Sequence, residues 1–155
     1  DGNGENEVVH VDAQVTGAGI EESYVTTFQL QGSTLERRSR IAVVERTNRL
    51  LQETRALLLE GELDSLLRRH AIGGDRNVDA YFSPRDAEAL SSLIEIEFVY
   101  VPELRSSPFD LSARDPSIET ELLVVADGRE HIYGVRIGFV VHREKGPQIK
   151  LLPLH

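Results

Sequence analysis

The chain of 155 residues carries 26 acidic against 17 basic side chains, a formal charge of −9, with 40% hydrophobic residues and no Cys, Met or Trp. That length and apolar content suit one globular domain, able to bury roughly 70% of its unfolded surface without metal or disulfide. Zero cysteine excludes disulfides, thiol catalysis and cysteine metal sites; the acidic balance repels a phosphate backbone, so nucleic acid is not an expected partner.

The chain opens Asp1-Gly2-Asn3-Gly4-Glu5-Asn6-Glu7, acidic, rich in Gly and Asn and without an initiator Met. Residues 1–7 read as a flexible tether. Such a leader suits a mature exported or lipid-anchored protein, or one separated from a transmembrane segment. The expected location is therefore extracytoplasmic, in the periplasm or at the cell surface, with peripheral membrane attachment through a missing N-terminus. Residues 8–155 are expected to form a single α+β domain: a β segment over 8–31, a helical part over 33–92 and a sheet over 93–154.

Val8 to Val15 sets Val9, Val11, Ala13 and Val15 against Val8, His10, Asp12 and Gln14, the period of a strand. Gly17-Ala18-Gly19 interrupts it, and Tyr24 to Leu30 gives a second extended run. Ser33-Thr34-Leu35-Glu36 matches a capping box and predicts the start of a long helix. On that helix Val43, Val44, Thr47, Leu50, Leu51, Thr54, Leu57 and Leu58 form one stripe, with Glu45, Arg46, Arg49, Gln52, Glu53 and Glu60 opposite. Gly61 supplies a left-handed stop. Glu62 to His70 predicts a short helix closed by Gly73-Gly74, and Ser83-Pro84-Arg85-Asp86 predicts the start of another, ending near Ser92.

Beyond Ser92 the period becomes two. Ile94, Ile96, Phe98 and Tyr100 share one strand face; Glu95, Glu97, Val99 and Val101 share the other. Pro102 ends the strand, and residues 103–117 read as a long Pro-containing loop. Asp127-Gly128 is the strongest hairpin signal and favours a type I′ turn. A two-residue loop there sets Val124 opposite His131, Leu122 opposite Tyr133, Thr120 opposite Val135, Ile118 opposite Ile137 and Glu119 opposite Arg136. Gly134 and Gly138 lie on the Arg136 face, where glycine lets a sheet bend or a neighbour approach. Lys145-Gly146 turns the chain into a last strand, Gln148 to Leu152, which Pro153 suggests is an edge. The expected architecture is α+β: a long amphipathic helix and two short helices packed on a bent, mostly antiparallel sheet.

This order of elements resembles the nuclear transport factor 2-like superfamily, also called the cystatin-like cone fold, over about Ser33 to Leu154. The likeness is carried by Leu57-Leu58-Leu59-Glu60-Gly61-Glu62-Leu63-Asp64-Ser65-Leu66-Leu67 and by the closing stretch from Tyr133 through Gly138, Gly146 and Pro147 to Leu151. The chain departs from the pattern in its extra β segment over residues 7–31 and in lacking the Trp common in the final strand. Because that fold hosts isomerases, dehydratases, binding modules and secretion-machinery domains, the resemblance implies architecture more than chemistry.

An isomerase or dehydratase in such a fold would need an acid or base beside an oxyanion donor, and His131 with Tyr133, on one face of one strand, are the candidates. Asn48 and Arg55, at the border of the helical stripe, could hold a carboxylate at a pocket mouth. Glu95 and Glu97 share a strand face at about 7 Å, compatible with a general acid and base or a metal but usual for a solvated face. His10 and Asp12 also share a face, yet two ligands do not make a metal site. No metal or cofactor is expected. Thr47 and Thr54 are expected to bond to carbonyls one turn back. With no nucleophile elbow and no phosphate-cradling loop, the leading expectation is a non-catalytic binding or assembly domain for a protein partner or small ligand. The alternatives are a small isomerase or dehydratase using His131, Tyr133 and Arg55, and a homodimer pairing through the open face of its sheet.

Overall fold

Residues 7–73, 76–85, 88–142 and 145–154 are described in the computed structural model of the chain. Of the expected tether, residues 1–6 lie outside them, and Glu7 is the first residue of a strand. Strands β1 (Glu7–Val15), β2 (Glu21–Gln31) and β3 (Thr34–Ala42) form a three-stranded antiparallel meander in that order. Gln31 pairs with Thr34 across a Gly32-Ser33 loop, where Gly32 takes the positive φ of 63° that a tight hairpin requires at its first position.

That hairpin corrects the expected helix start. Ser33 belongs to a turn, Thr34–Ala42 is a strand, and helix α1 covers only Val43–Leu59. The reason is the missing apolar face before Val43: between Ser33 and Ala42 the apolar residues are only Leu35, Ile41 and Ala42, too few to recur at helical spacing, and β2 supplies backbone partners for this stretch across a register shift between Thr27 and Phe28. Within α1 the expected stripe is the buried face, residue for residue: Val43, Val44, Thr47, Leu50, Leu51, Thr54, Leu57 and Leu58. Gly61 stops the helix at φ 72°, with its N–H donating to the Leu58 carbonyl and that of Glu62 to the Leu57 carbonyl. Helix α2 (Leu63–His70) follows and buries Leu66 and Leu67. Gly73 has a φ of 111°, and Gly74 lies outside the described residues.

The third helix, expected over 83–92, is replaced by β4 (Phe82–Pro84) and one 3₁₀ turn at Leu90–Ser92; Asp86 and Ala87 of the expected first turn lie outside the described residues. Phe82 pairs with Val135 and Pro84 with Tyr133, which places Pro84 in an edge strand, where its missing N–H costs least. The remaining strands are β5 (Ile96–Tyr100), β6 (Ser117–Ala126), β7 (Arg129–His142) and β8 (Gly146–Leu152). The second sheet runs β4-β7-β6-β5, with β8 also on β7. The β6–β7 register matches the expected one at all five positions, from Val124 opposite His131 to Glu119 opposite Arg136. Asp127 and Gly128 both have positive φ, 53° and 74°, as a type I′ turn demands.

The architecture is therefore α+β with two antiparallel sheets and, among the described residues, two α-helices. A bulge between Ile96 and Phe98 resets the alternation of β5, so Val99 and Val101 face the core while Phe98 and Tyr100 stay exposed. Helix α1 packs against β2, β5 and β8. Its leucines join Leu122, Val124, Tyr133, Val135, Ile137 and Leu151 from the second sheet and Val25 and Ile41 from the first in one cluster. The Leu152 side chain fills the space that a Cβ at Gly138 would need, which explains a glycine in the middle of β7.

Candidate functional site

Each residue singled out from the sequence has a defined place. His131 and Tyr133 come together on the core face of β7, with ring centroids 6.4 Å apart, and both are buried. The Tyr133 hydroxyl donates to the main-chain carbonyl of Glu88 at 3.1 Å, and His131 Nε2 lies 4.0 Å from the Glu88 carboxylate, which Arg129 also contacts. Asn48 forms a two-way bond with the backbone of Leu104, donating to its carbonyl at 3.0 Å and accepting from its N–H at 2.8 Å. Arg55 Nε donates to the Val99 carbonyl at 2.9 Å and lies over the Phe98 ring, covering the open side of edge strand β5.

Thr47 and Thr54 donate to the carbonyls of Val43 and Leu50 one turn back, as their place in the stripe implies. Glu95 and Glu97 are exposed, and the backbone N–H of Glu95 is held by the Asp127 carboxylate. His10 and Asp12 lie on β1, where Asp12 accepts from Gln14 at 3.2 Å. Among the described residues no group of three or more His, Asp or Glu is placed to hold a metal ion.

The concave chemistry lies elsewhere. Where the polar edge of α1 meets the end of α2 and β8, a cavity of about 210 Å³ is lined by Arg46, Arg49, Leu50, Glu53, Arg69, His70, Gln148, Ile149 and Lys150. A second of about 300 Å³ adjoins it through the shared Arg46 and Arg49 and continues to Tyr24, Arg40 and Glu45. Local structure explains each placement. Arg46 and Arg49 sit on the solvent edge of α1, and Arg69 and His70 end α2, where cations complement the helix dipole. Lys150 points from β8 with its ammonium donating to the Arg69 carbonyl at 2.7 Å, and the Arg40 guanidinium stacks 4.0 Å over the Tyr24 ring.

Several arginines elsewhere on the molecule are engaged. Arg68 and Arg76 pair with Asp64, Arg85 with Glu121 and Arg129 with Glu88; Arg105 and Arg136 bond to Ala18 and Ser117. Of the groove's arginines, only Arg49 has a carboxylate partner among the described residues, that of Glu45. Arg40, Arg46, Arg69 and Lys150 have none among the described residues, in a chain where acids outnumber bases 26 to 17. Burial, reinforced by the charge of Lys145, holds the Lys150 ammonium below its ordinary range. Burial also lowers the His70 imidazole; Glu53, whose Oε2 is 2.8 Å away, opposes that shift, and Lys150 and Arg69 add to it.

Comparison with protein-family models, with curated proteins and with solved structures gives no match. The sequence places Arg46 and Arg49 on the polar side of the helix, but does not show the site they help to form. The available signal was a helix ending in Arg68-Arg69-His70 beside a final strand with a central Lys150, and only the fold joins those segments.

Proposed function

We propose that this chain is a non-catalytic binding domain whose recognition site is the groove between α1, α2, β3 and β8, and that its ligand is a compact anion carrying phosphoryl or carboxylate groups. The observation that carries this reading is the gathering of cations without carboxylate partners, Arg40, Arg46, Arg69 and Lys150, around two adjoining cavities. Mutual repulsion among these cations and the partial burial of Lys150 are unfavourable when the groove is empty, and a bound anion offsets both. Guanidinium groups grip carboxylate and phosphoryl oxygens bidentately. The surrounding acidic surface disfavours a long polyanion, which supports a small ligand over nucleic acid. An extracytoplasmic setting and a cone-type fold of the nuclear transport factor 2-like kind remain part of the proposal; the order of α1, α2 and a closing β7–β8 hairpin supports the latter.

Isothermal titration with inorganic phosphate and with citrate tests the site. Binding is expected to weaken as salt rises and to fall about tenfold or more for Arg69→Ala and Arg46→Ala, each removing a charge-assisted contact. Neither guanidinium has a hydrogen-bond partner among the described residues, so both variants should keep wild-type stability. Arg129→Ala, at the distant β6–β7 hairpin, should bind as wild type does. Equal losses at all three positions would leave only nonspecific charge and overturn the reading.

A further inference from the structure

β1 is paired but not packed. It lies against β2 alone among the main element contacts, and none of Val8 to Val15 is buried. Val8 is 45% exposed, Val9 56%, Val11 45% and Val15 75%. Among the described residues its outer edge exchanges no backbone hydrogen bond with any other element. A long apolar edge strand of this kind is a template for another strand, and proteins ordinarily guard it with Lys, Pro, a bulge or a cover. The opposite sheet follows that rule through Arg55 on β5. On β1 there is no Pro, no Lys and no bulge in its pairing with β2.

We propose that β1 pairs antiparallel with β1 of a second copy about a twofold axis at Val11, joining two three-stranded meanders into one six-stranded sheet. The edge is self-complementary in that register. Val11 meets Val11, Val9 meets Ala13, and His10 meets Asp12 twice over, an unlike pair at each of two symmetry-related positions. Centring on Asp12 would set two carboxylates face to face, and centring on His10 would oppose two imidazoles and strand Asp12 against Val8. Residues paired across antiparallel strands share a face, so the valine stripes of both copies become neighbours. By the same rule Tyr24 and Arg40, which border the basic groove and share the face of His10 and Asp12, lie on one side of the joined sheet in both copies. The occupant of this edge is thus a second copy of the chain, and the inference stands independently of the ligand reading.

The cysteine-free chain makes the test direct. Sedimentation equilibrium should show a concentration-dependent dimer. Val11→Cys, at an exposed position, should oxidise to a disulfide-linked dimer, because directly opposed residues of antiparallel strands place their Cα atoms about 4.5–5.5 Å apart, within disulfide reach. Val8→Cys should not, since the register separates the two copies of that residue by about 20 Å along the strands. His10→Asp should return the chain to monomer, and adding Asp12→His should restore the dimer, with circular dichroism confirming the fold of each variant. A wild-type monomer at the highest concentration attainable overturns the proposal. Cross-linking at position 8 as fast as at position 11, or a swap that fails to restore the dimer, overturns the register and the proposal with it.

Discussion

Glu22 shows how one side chain can decide where a helix begins. Ala42, at the N-cap of α1, has no side-chain acceptor for the first free N–H groups of the helix. Glu22 of β2 supplies it from outside: its buried carboxylate accepts from Val44 N–H at 2.6 Å, from Glu45 N–H at 3.0 Å and from its neighbour Ser23 at 2.9 Å. A negative charge at that end also complements the helix dipole. Glu22→Gln keeps one acceptor oxygen and turns an amide N–H₂ toward a donor; by capping energetics it should cost about 1–2 kcal/mol in urea unfolding. Glu22→Ala should cost at least as much. Ala42→Asp, at a residue already extended with φ −92° and ψ 110°, should recover part of that loss by capping locally. No recovery would mean that Glu22 acts by packing rather than by capping.

At the scale of elements, Asn48 is a clasp. Its amide satisfies both backbone groups of Leu104, and Arg105 continues the attachment by accepting from Glu21 N–H at 2.8 Å, so the irregular segment after β5 is tied to α1 and to β2. Asn48→Ala leaves two backbone groups without a partner in a partly buried setting. It should destabilise the chain by about 1–3 kcal/mol and speed hydrogen exchange at Leu104, while leaving phosphate affinity unchanged. The same residue shows what was legible in the sequence. Periodicity identified Asn48 as a boundary residue of the helix but not its partner 56 positions away. Local signals performed well where the physics is local: the Asp127-Gly128 turn set the β6–β7 register, and Gly61 ended α1. They failed at Ser33, where a capping-box pattern lost to a Gly32 turn backed by β2, and at Ser83-Pro84, where pairing with β7 overrode a helix-start motif. The groove was illegible for the same reason, since Arg46, Arg69 and Lys150 meet only after α1, α2 and β8 have packed.

Over the whole molecule, a formal charge of −9 attracts protons at long range. His70 runs against that background. Desolvation lowers its pKa most, Lys150 and Arg69 lower it further, and Glu53 only partly compensates. The unfolded chain, with His70 near its ordinary 6.5, therefore takes up that proton first as pH falls. The contribution of His70 to stability is whole above that value and is lost as pH drops below it toward the folded-state value. His70→Asn should flatten this part of the stability profile, read as the difference in unfolding free energy between wild type and variant on either side of that window. A phosphate or carboxylate seated among Arg46, Arg69 and Lys150 would reverse the local sign by screening the cations that oppose imidazolium. The NMR titration midpoint of His70 should then rise on adding phosphate and stay fixed on adding the same ionic strength as chloride. In Arg69→Ala the midpoint should start higher, because one opposing charge is gone, and respond less to phosphate. A His70 midpoint that moves equally with chloride and phosphate would assign the effect to bulk screening and remove the groove from consideration as a specific site.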